Sequence, residues 1–243
     1  MARKIILLGS TGTIGRKIAE TLVEEGHSLA IIGRSDSRLR ELVRSVGSSA
    51  ERIKCIYTAD LRDLESSKAA VASSSSCLGG LDVLINSAGV WDDTDPWKIT
   101  LDKWLEIFVV NTIAPYMLSL EASKYMEKGG TIINMGCLTA TRNHRIYKGL
   151  RPSPAYLSSK VAITYLTKQL AEILAPRGIR VITIAPSWVY KHGIGETLLK
   201  AIKDTVPLKR PADPGEIAEV IRAIINTKTP YITGSVIEIS GGL

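Results

Sequence analysis

The sequence predicts a doubly wound α/β fold, in which one sheet of seven parallel strands is covered by helices on both faces. Short apolar runs alternate along the chain with longer stretches whose apolar residues recur at helical spacing. The short runs are mostly apolar, which is typical of strands in a parallel sheet that is buried on both faces. The chain has 243 residues, 45% of them hydrophobic, so we expect a single domain over residues 1–243.

Recognisable residues mark where the predicted elements begin and end. The first helix stops at Gly26, and the last has Asp213 as its N-cap, Pro214 at its first position and Glu216 in the capping-box position. The predicted strands cover residues 4–8, 29–32, 53–57, 81–85, 131–135, 180–184 and 236–240. The predicted helices cover residues 16–25, 37–46, 62–76, 102–126, 155–175 and 215–226.

Composition excludes several classes of protein. Cys55, Cys77 and Cys137 are too few and too scattered for a disulfide framework, and they lack the CxxC spacing of a zinc site. No apolar run approaches the ~18 residues that a membrane span needs, and the apolar run at 5–8 is too short for a signal peptide. We therefore expect a soluble protein in the reducing cytoplasm, with no bound metal and no membrane contact.

The net charge of +7 leaves several kinds of partner open. A basic surface suits nucleic acid, an acidic partner or a phosphorylated small ligand, and an ordinary solvated surface is the alternative. The chain has no run of five Lys or Arg residues and no zinc-finger spacing, and Phe108 is its only phenylalanine. Nucleic acid is therefore not an expected partner.

A glycine-rich turn follows the first strand and opens the first helix. Its candidate residues are Gly9, Thr11, Gly12, Thr13, Ile14 and Gly15. In such a corner, small residues let the backbone approach a pyrophosphate, and the amides of the helix N-terminus donate to it. A tight structural turn is the alternative, but the position after the first strand favours nucleotide binding.

The residue that follows the second strand bears on the choice of cofactor. A carboxylate at this place holds the ribose 2′-hydroxyl of NAD, whereas this chain has Arg34. Arginine pairs with a phosphate through two hydrogen bonds, so Arg34 favours NADP(H) over NAD(H). NAD(H) stays an alternative, because Asp36 lies close by and Arg34 could instead point into solvent.

Tyr156 and Lys160 stand four residues apart on a predicted helix, so they share one face. A phenol is a poor base at neutral pH. A neighbouring ammonium favours the phenolate and makes a tyrosine a plausible proton donor and acceptor. The pair alone is a weak signal, and its place among the other motifs gives it weight.

Further motifs follow one another in a definite order along the chain. They are Asn-Ser-Ala-Gly at 86–89, Asn111, Ile-Ala-Pro at 184–186, and the tail segments 207–210, 214–218, 232–234 and 241–242. With the glycine turn and the Tyr156–Lys160 pair, their order and spacing resemble the short-chain dehydrogenase/reductase superfamily in its single-domain form. The resemblance spans the whole chain, although no single motif is specific.

This resemblance implies a role for each matching residue. Tyr156 would be the catalytic acid or base, Lys160 would hold the nicotinamide ribose and lower the pKa of the phenol, and Asn111 would position a water. A bond from Asn111 to nearby backbone is the alternative. The implied cofactor-binding residues beyond the glycine turn and Arg34 are Asp60 at the adenine, Asn86, Ala88 and Gly89 at the sheet edge, and Pro186, Ser187 and Val189 beside the nicotinamide.

Cys137 stands where the family usually has the serine that hydrogen-bonds the substrate carbonyl. A thiol is a weaker donor than a hydroxyl, and losing one good donor to a developing oxyanion costs about 3 kcal/mol, or roughly 10² in rate. Thr139 would substitute if the loop bends inward. A nucleophilic role is not expected, because His27, His144 and His192 are not placed to activate the thiol.

The family's substrate side is also recognisable. Residues 187–210 match its mobile lid, with Gly193 and Gly195 as candidate hinges. The candidate aromatic walls are Trp188 and Tyr190 in the lid and Trp91 and Trp97 opposite it, with packing for stability as the alternative. An unusually long loop before Tyr156 carries Arg142, His144, Arg145, Lys148 and Arg151, which suggests an anionic substrate or an acidic carrier, or else a solvated insertion.

The leading hypothesis is an oxidoreductase that transfers a hydride between NADP(H) and a carbonyl or secondary alcohol. A catalytically weak or silent dinucleotide-binding sensor or scaffold of the same fold is the alternative, motivated by Cys137 and the basic loop. The family commonly forms dimers or tetramers through its fourth and fifth helices, so the resemblance also implies a homo-oligomer.

Overall fold

A computed structural model describes residues 2–142 and 152–243, without the side chain of Arg142. Within these residues the strands form one seven-stranded, all-parallel sheet in the order β3-β2-β1-β4-β5-β6-β7, which confirms the predicted fold class. The strands are β1 (Lys4–Leu8), β2 (Ser28–Gly33), β3 (Ile53–Thr58), β4 (Leu81–Asn86), β5 (Met126–Met135), β6 (Arg180–Pro186) and β7 (Val236–Ile239).

Helices cover both faces of the sheet. They are α1 (Thr13–Glu24), α2 (Asp36–Ser45), α3 (Leu64–Leu78), α4 (Leu101–Phe108), α5 (Ala114–Ser123), α6 (Leu138–Arg142), α7 (Pro154–Leu174), α8 (Glu196–Thr205) and α9 (Pro214–Asn226). The capping box predicted at Asp213 and Glu216 is present at the start of α9. The helical periodicity of the sequence did not predict α6 or α8.

The core consists of two layers, one on each face of the sheet. In β1, Ile6 and Leu8 pack into the layer under α3, α5 and α7, whereas Ile5 and Leu7 pack into the layer under α1, α2 and α9. Successive side chains of a strand point to opposite faces. Both faces of β1 are covered by apolar layers, so its residues Ile5–Leu8 form an uninterrupted apolar run.

The strand order creates a cleft at the carboxyl ends of β1 and β4. From β1 the chain proceeds to β2 on one side, while β4 lies on the other side. Ligands of open α/β sheets bind at such a switch point. The backbones approach closely here: Gly9 has a φ of +76°, and a Cβ on it would lie 2.5 Å from the Cα of Ala88, so this position requires glycine.

The helix predicted over 102–126 differs from the structure at its middle and at its end. A π-helical turn at Val109–Ile113 separates α4 from α5. The helix ends at Ser123, because Met126 already pairs with Leu81 as the first residue of β5 and is only 4% exposed. The burial of Met126 in the sheet layer therefore outweighs continued helix formation.

The helical stretch Leu101–Ser123 also bears on the expected absence of membrane contact. It is long and apolar enough to cross a membrane by length and composition, with a mean hydropathy of 1.2 over 18 residues. Half of that window is buried inside the protein, and α5 packs against α3 and α7. This burial is typical of a helix in the core of the fold.

The cysteines differ from the expectation of scattered thiols. Cys55 of β3 and Cys77 of α3 form a disulfide, with their Cα atoms 6.6 Å apart. They are 22 residues apart in the chain, and the packing of α3 on β3 brings them together. Cys137 is a free thiol.

Candidate active site

A cavity of about 500 Å³ opens at the carboxyl edge of the sheet. It extends from the glycine turn, past the ends of β4, β5 and β6, to the first turns of α7. The predicted site residues that line it are Gly12, Thr13, Ile14, Gly15, Ala88, Gly89, Cys137, Tyr156, Lys160, Pro186, Ser187 and Val189. Gly9, Thr11, Arg34, Asp60, Asn86 and Asn111 lie outside its lining.

The glycine turn fits an anionic dinucleotide. Helix α1 begins at Thr13 with Gly12 as its N-cap, and no side chain accepts from its first amides. These amides and the positive end of the helix dipole therefore face the cavity uncompensated. A Cβ on Gly15 would lie 2.1 Å from the carbonyl oxygen of Gly9, so the turn closes only with glycine there.

Buried polar atoms beside this turn also lack partners. Within the described part of the chain, the side-chain oxygens of Ser10, Asn86 and Ser87 are buried and have no hydrogen-bond partner. Such atoms are rare in proteins unless a ligand or water satisfies them. Together with the uncapped helix, they support a polar ligand at this edge of the sheet.

Arg34 follows β2 directly and is exposed. Its guanidinium makes no hydrogen bond or ion pair with any residue that the structure describes. Ser35 caps α2 by accepting from the amide of Arg38. Arg34 is therefore available to a ligand beyond the end of β2.

The carboxylate of Asp60 is held by Arg62 at 2.6 Å and does not line the cavity. This hydrogen bond is the main reason that the pKa of Asp60 lies below its usual value, and Arg34 contributes a smaller charge effect. A contact between Asp60 and an adenine stays a prediction.

Tyr156 and Lys160 lie on the same face of α7, as predicted, and both border the cavity. The ammonium of Lys160 lies 6.0 Å from the centre of the Tyr156 ring and donates to the carbonyl of Met135 at 2.9 Å. Lys160 is 5% exposed, and burial lowers the pKa of its ammonium to about 8.

The phenol of Tyr156 differs from the sequence-based expectation. Burial, followed by the neighbouring Cys137, raises the pKa of Tyr156 well above its usual value. The lowering of the phenol pKa expected from Lys160 does not result, because burial is the largest effect on this group. At neutral pH the phenol therefore keeps its proton.

Cys137 lies directly beside the phenol. It follows β5 with one residue between, and its sulfur is hydrogen-bonded to the hydroxyl of Tyr156. Thr139, the alternative donor, lines the same cavity. Two groups able to donate to a substrate oxygen therefore border the cavity near Tyr156.

Asn111 lies in the π-helical turn and bonds to neighbouring segments. Its Oδ1 accepts from the amide of Val90 at 2.8 Å, and its Nδ2 donates to the carbonyl of Val90 at 2.9 Å. Nδ2 also donates to the hydroxyl of Ser159 at 3.1 Å. The side chain thus clamps the segment after β4 to α7, and its role in placing a water stays a prediction.

Asn86 is buried at the end of β4. Its Nδ2 donates to Oδ1 of Asn134 at 2.7 Å and to the hydroxyl of Ser119 at 3.2 Å. The side chain therefore links β4 to β5 and α5 beneath the carboxyl edge of the sheet, where the cavity lies.

Aromatic side chains form one wall of the cavity. The Trp91 ring meets the Tyr156 ring edge-on at 4.7 Å and lies 6.0 Å from the ring of Trp188. The prediction is wrong for Trp97, which is 96% exposed, and for Tyr190, which is 44% exposed, because neither lines the cavity. Both lie in connecting segments, where sequence periodicity carries no information on direction.

Several lining residues were missed by sequence analysis. Leu138, Ile194 and Leu198 add apolar surface, and Asp93 and Lys191 add charges. Ile194 and Leu198 lie in the predicted lid, so their apolar side chains in that segment were the available signal. The basic side chains of Arg142, His144, Arg145, Lys148 and Arg151 lie outside the described residues.

Several known proteins are similar to this chain in sequence or in structure. The family model described as enoyl-(acyl carrier protein) reductase matches residues 9–243. A 3-oxoacyl-[acyl-carrier-protein] reductase of Aquifex aeolicus is 28% identical, covering 98% of this chain and 96% of the relative. An acetoacetyl-CoA reductase of Acinetobacter is 27% identical over the same shares of the two chains. A short-chain dehydrogenase of Burkholderia cenocepacia, solved in complex with NADP, superimposes with a TM-score of 0.90 at 26% identity, covering 99% of this chain and 97% of that one.

Proposed function

Because the chain belongs to the short-chain dehydrogenase/reductase superfamily, we propose that it is an NADP(H)-dependent oxidoreductase that interconverts a carbonyl compound and a secondary alcohol. The observation that carries this proposal is a single cavity with an uncapped glycine turn at one end and Tyr156, Lys160 and Cys137 at the other. NADPH, when bound, supplies a hydride to the carbonyl carbon.

Tyr156 supplies the proton in this proposal. Its raised pKa keeps the phenol protonated at neutral pH, so it donates to the carbonyl oxygen as negative charge develops there. This protonation state supports the reductive direction. Cys137 and Thr139 provide further donors to the same oxygen, which lowers the energy of the transition state.

The residues at the other end of the cavity are proposed to hold the cofactor. The first amides of α1 would receive the pyrophosphate. Arg34 would pair with a 2′-phosphate, since the described residues leave its guanidinium without a partner. Lys160 would hold the nicotinamide ribose beside Tyr156. The bound NADP of the Burkholderia relative supports this choice of cofactor.

The substrate class is proposed to be a 3-oxoacyl thioester. The names of two relatives point to this chemistry. In this chain Trp188, Ile194 and Leu198 offer apolar surface to an acyl chain, and Lys191 offers a positive charge to an anionic carrier group.

The test is NADPH oxidation with a panel of a 3-oxoacyl thioester, an enoyl thioester, a simple ketone and a quinone. We expect turnover of the 3-oxoacyl thioester, with loss of at least 10³ in kcat for Tyr156→Phe and unchanged NADPH binding. Tyr231→Phe is the matched control, because Tyr231 is 94% exposed and does not line the cavity. Turnover retained by Tyr156→Phe would refute the role of Tyr156. Absence of turnover on the whole panel with tight NADPH binding would favour the sensor or scaffold alternative.

A homo-oligomer is part of the proposal. Helices α4 and α5 each pack against α7, and Leu105, Val161 and Tyr165 of these helices and Ile113 of the π-helical turn stay between 41% and 62% exposed. Large apolar side chains that stay exposed on neighbouring helices are consistent with an interface. Analytical ultracentrifugation of the purified protein measures the number of subunits.

A cytoplasmic location completes the proposal, and the disulfide offers its test. Thiols in the cytoplasm are kept reduced, so we expect Cys55 and Cys77 to be alkylated rapidly when cells are lysed into a thiol-blocking reagent. A bridge that persists under this treatment would place the protein in an oxidising compartment.

A further inference from the structure

A second cavity lies at the opposite edge of the sheet from the proposed active site. It has a volume of about 260 Å³ and is lined by Arg3, Arg180 and Lys228, by Thr229 and by backbone of Gly129 and Gly178. Strand β6 connects the two cavities: Arg180 at its start lines this one, and Pro186 at its end lines the first. Pro186 lies six residues after Arg180, so at ~3.3 Å per residue the two cavities are about 20 Å apart.

The lining of this amino-edge cavity carries three positive charges. No Asp or Glu is among its described lining residues. Arg3, Arg180 and Lys228 also have no carboxylate within 4.0 Å in the part of the chain that the structure describes. A cluster of cations with no counter-charge is costly, because the like charges repel one another.

Arg180 is the most buried of the three, with 6% of its surface exposed. Its guanidinium donates to the hydroxyl of Thr131 at 3.0 Å, to the carbonyl of Ile224 at 3.1 Å and to the carbonyl of Thr229 at 3.4 Å. These neutral acceptors fix the direction of the guanidinium without neutralising its charge. Buried charges in proteins are normally paired.

Helix α9 offsets only part of this charge. Ile224 lies in its last turn, so Arg180 binds the negative end of the helix dipole. That end amounts to about half an elementary charge. Arg3 and Lys228 remain uncompensated, and burial together with the charge of Arg3 lowers the pKa of Arg180. The lining of the cavity therefore carries a net positive charge that suits an anion.

We propose that the amino-edge cavity binds a small oxyanion of the phosphate class, either inorganic phosphate or the phosphate group of a phosphomonoester. Three of the five N–H groups of Arg180 already have protein acceptors, so the anion would pair with its remaining N–H groups and with the side chains of Arg3 and Lys228. A divalent anion matches three cations better than a monovalent one, and the cavity is large enough for a phosphate group with its waters. This site is separate from the proposed cofactor site and adds a ligand to the protein.

The test is isothermal titration of inorganic phosphate into protein saturated with NADPH, which keeps phosphate out of the glycine turn. Ionic strength is held constant with chloride. We expect saturable binding to the wild type and at least tenfold weaker binding to the double variant Arg3→Gln/Lys228→Gln. The matched control, Lys54→Gln/Lys68→Gln, removes two charges from β3 and α3 and should bind like the wild type. Both variants change exposed or partly exposed side chains, so they are expected to fold.

A parallel titration with glycerol phosphate identifies the source of the phosphate group. Tighter binding of glycerol phosphate assigns the site to a phosphomonoester, and tighter binding of inorganic phosphate assigns it to the free anion. Absence of binding to the wild type overturns the proposal, as does equal binding by the wild type and Arg3→Gln/Lys228→Gln. These outcomes depend on binding alone, so they are independent of turnover at the proposed active site.

Discussion

Asp92 holds Ser153 by two hydrogen bonds, although the residues are far apart in the chain. The amide of Ser153 donates to the carbonyl of Asp92 at 2.8 Å, and its side chain bonds the Asp92 carboxylate. Burial alone would raise the pKa of Asp92, but the hydrogen bonds from Ser153 and Thr94 outweigh it and lower the pKa. Ser153 is the N-cap of α7 and accepts from the amide of Tyr156 at 3.2 Å. Asp92 thereby positions the helix turn that carries Tyr156.

Replacing Asp92 by alanine should lower kcat by about tenfold with little change in KM, because the first turn of α7 loses its anchor. The free energy of unfolding should fall by about 1–3 kcal/mol, since Ser153 is left buried with an unmade hydrogen bond. Steady-state kinetics and urea unfolding measure the two effects. Asp95→Ala, at an exposed position three residues further along the chain, is the control, and Asp92→Asn should recover most of the turnover. A loss of stability with full kcat would reduce Asp92 to a structural residue.

Cys137→Ser should preserve or raise kcat, because a hydroxyl donates to the substrate oxygen better than a thiol does. Cys137→Ala should lower kcat by about 10², the effect of one lost donor. The comparison is made at saturating NADPH with the 3-oxoacyl thioester. If Cys137→Ala turns over like the wild type, the donor is another group, and Thr139→Ala is then the variant that should lose activity.

Lys160→Met should stabilise the cofactor-free protein while impairing function. Below pH 8 both folded and unfolded states carry the ammonium, and the folded state bears the cost of burying it. Between the folded pKa of about 8 and the unfolded value near 10.5, the unfolded state binds more protons, so wild-type stability rises with pH. The variant should be more stable by roughly 1–3 kcal/mol at pH 7 and should lack this rise.

Urea unfolding between pH 7 and 10 measures this difference, and NADPH titration measures the expected loss of affinity. Lys168→Met is the control, because Lys168 is exposed on the same helix. A variant less stable than the wild type at pH 7 would show that the bond from Lys160 to Met135 outweighs the burial of its charge.

Arg34→Gln should weaken NADPH binding by about 10- to 100-fold and leave NADH binding unchanged, because only NADPH carries the 2′-phosphate. Fluorescence titration with both cofactors measures the ratio. Arg40→Gln, which removes an exposed charge from α2, is the control. An equal loss of affinity for NADPH and NADH would show that Arg34 stabilises the fold at this edge of the sheet and does not bind the 2′-phosphate.

The pattern of short, mostly apolar runs predicted each strand of the sheet, because such runs alternate with amphipathic helical stretches in a sheet that is covered on both faces. The sequence pattern was less informative about the residues at which helices and strands begin and end. Met126 belongs to β5 instead of the preceding helix because it pairs with Leu81, and a residue's pairing partner cannot be read from its own segment.

In the candidate site, the residues found without the family resemblance are those whose geometry is local. Tyr156 and Lys160 share a helix face because they are four residues apart, and the glycine turn needs only its own strand and helix. The cofactor choice implied by Arg34 is likewise a local argument, and it awaits the titration above.

Tertiary structure alone decided the contacts between distant segments. Asp92 is hydrogen-bonded to Ser153, and Cys55 is bonded to Cys77. Arg180 and Arg3 line the same cavity. In each case the strand order brings the two segments together. It also turned Trp97 and Tyr190 away from the cavity. The physical reason is that hydropathy records whether a side chain is buried, whereas its partner depends on which elements the sheet makes neighbours.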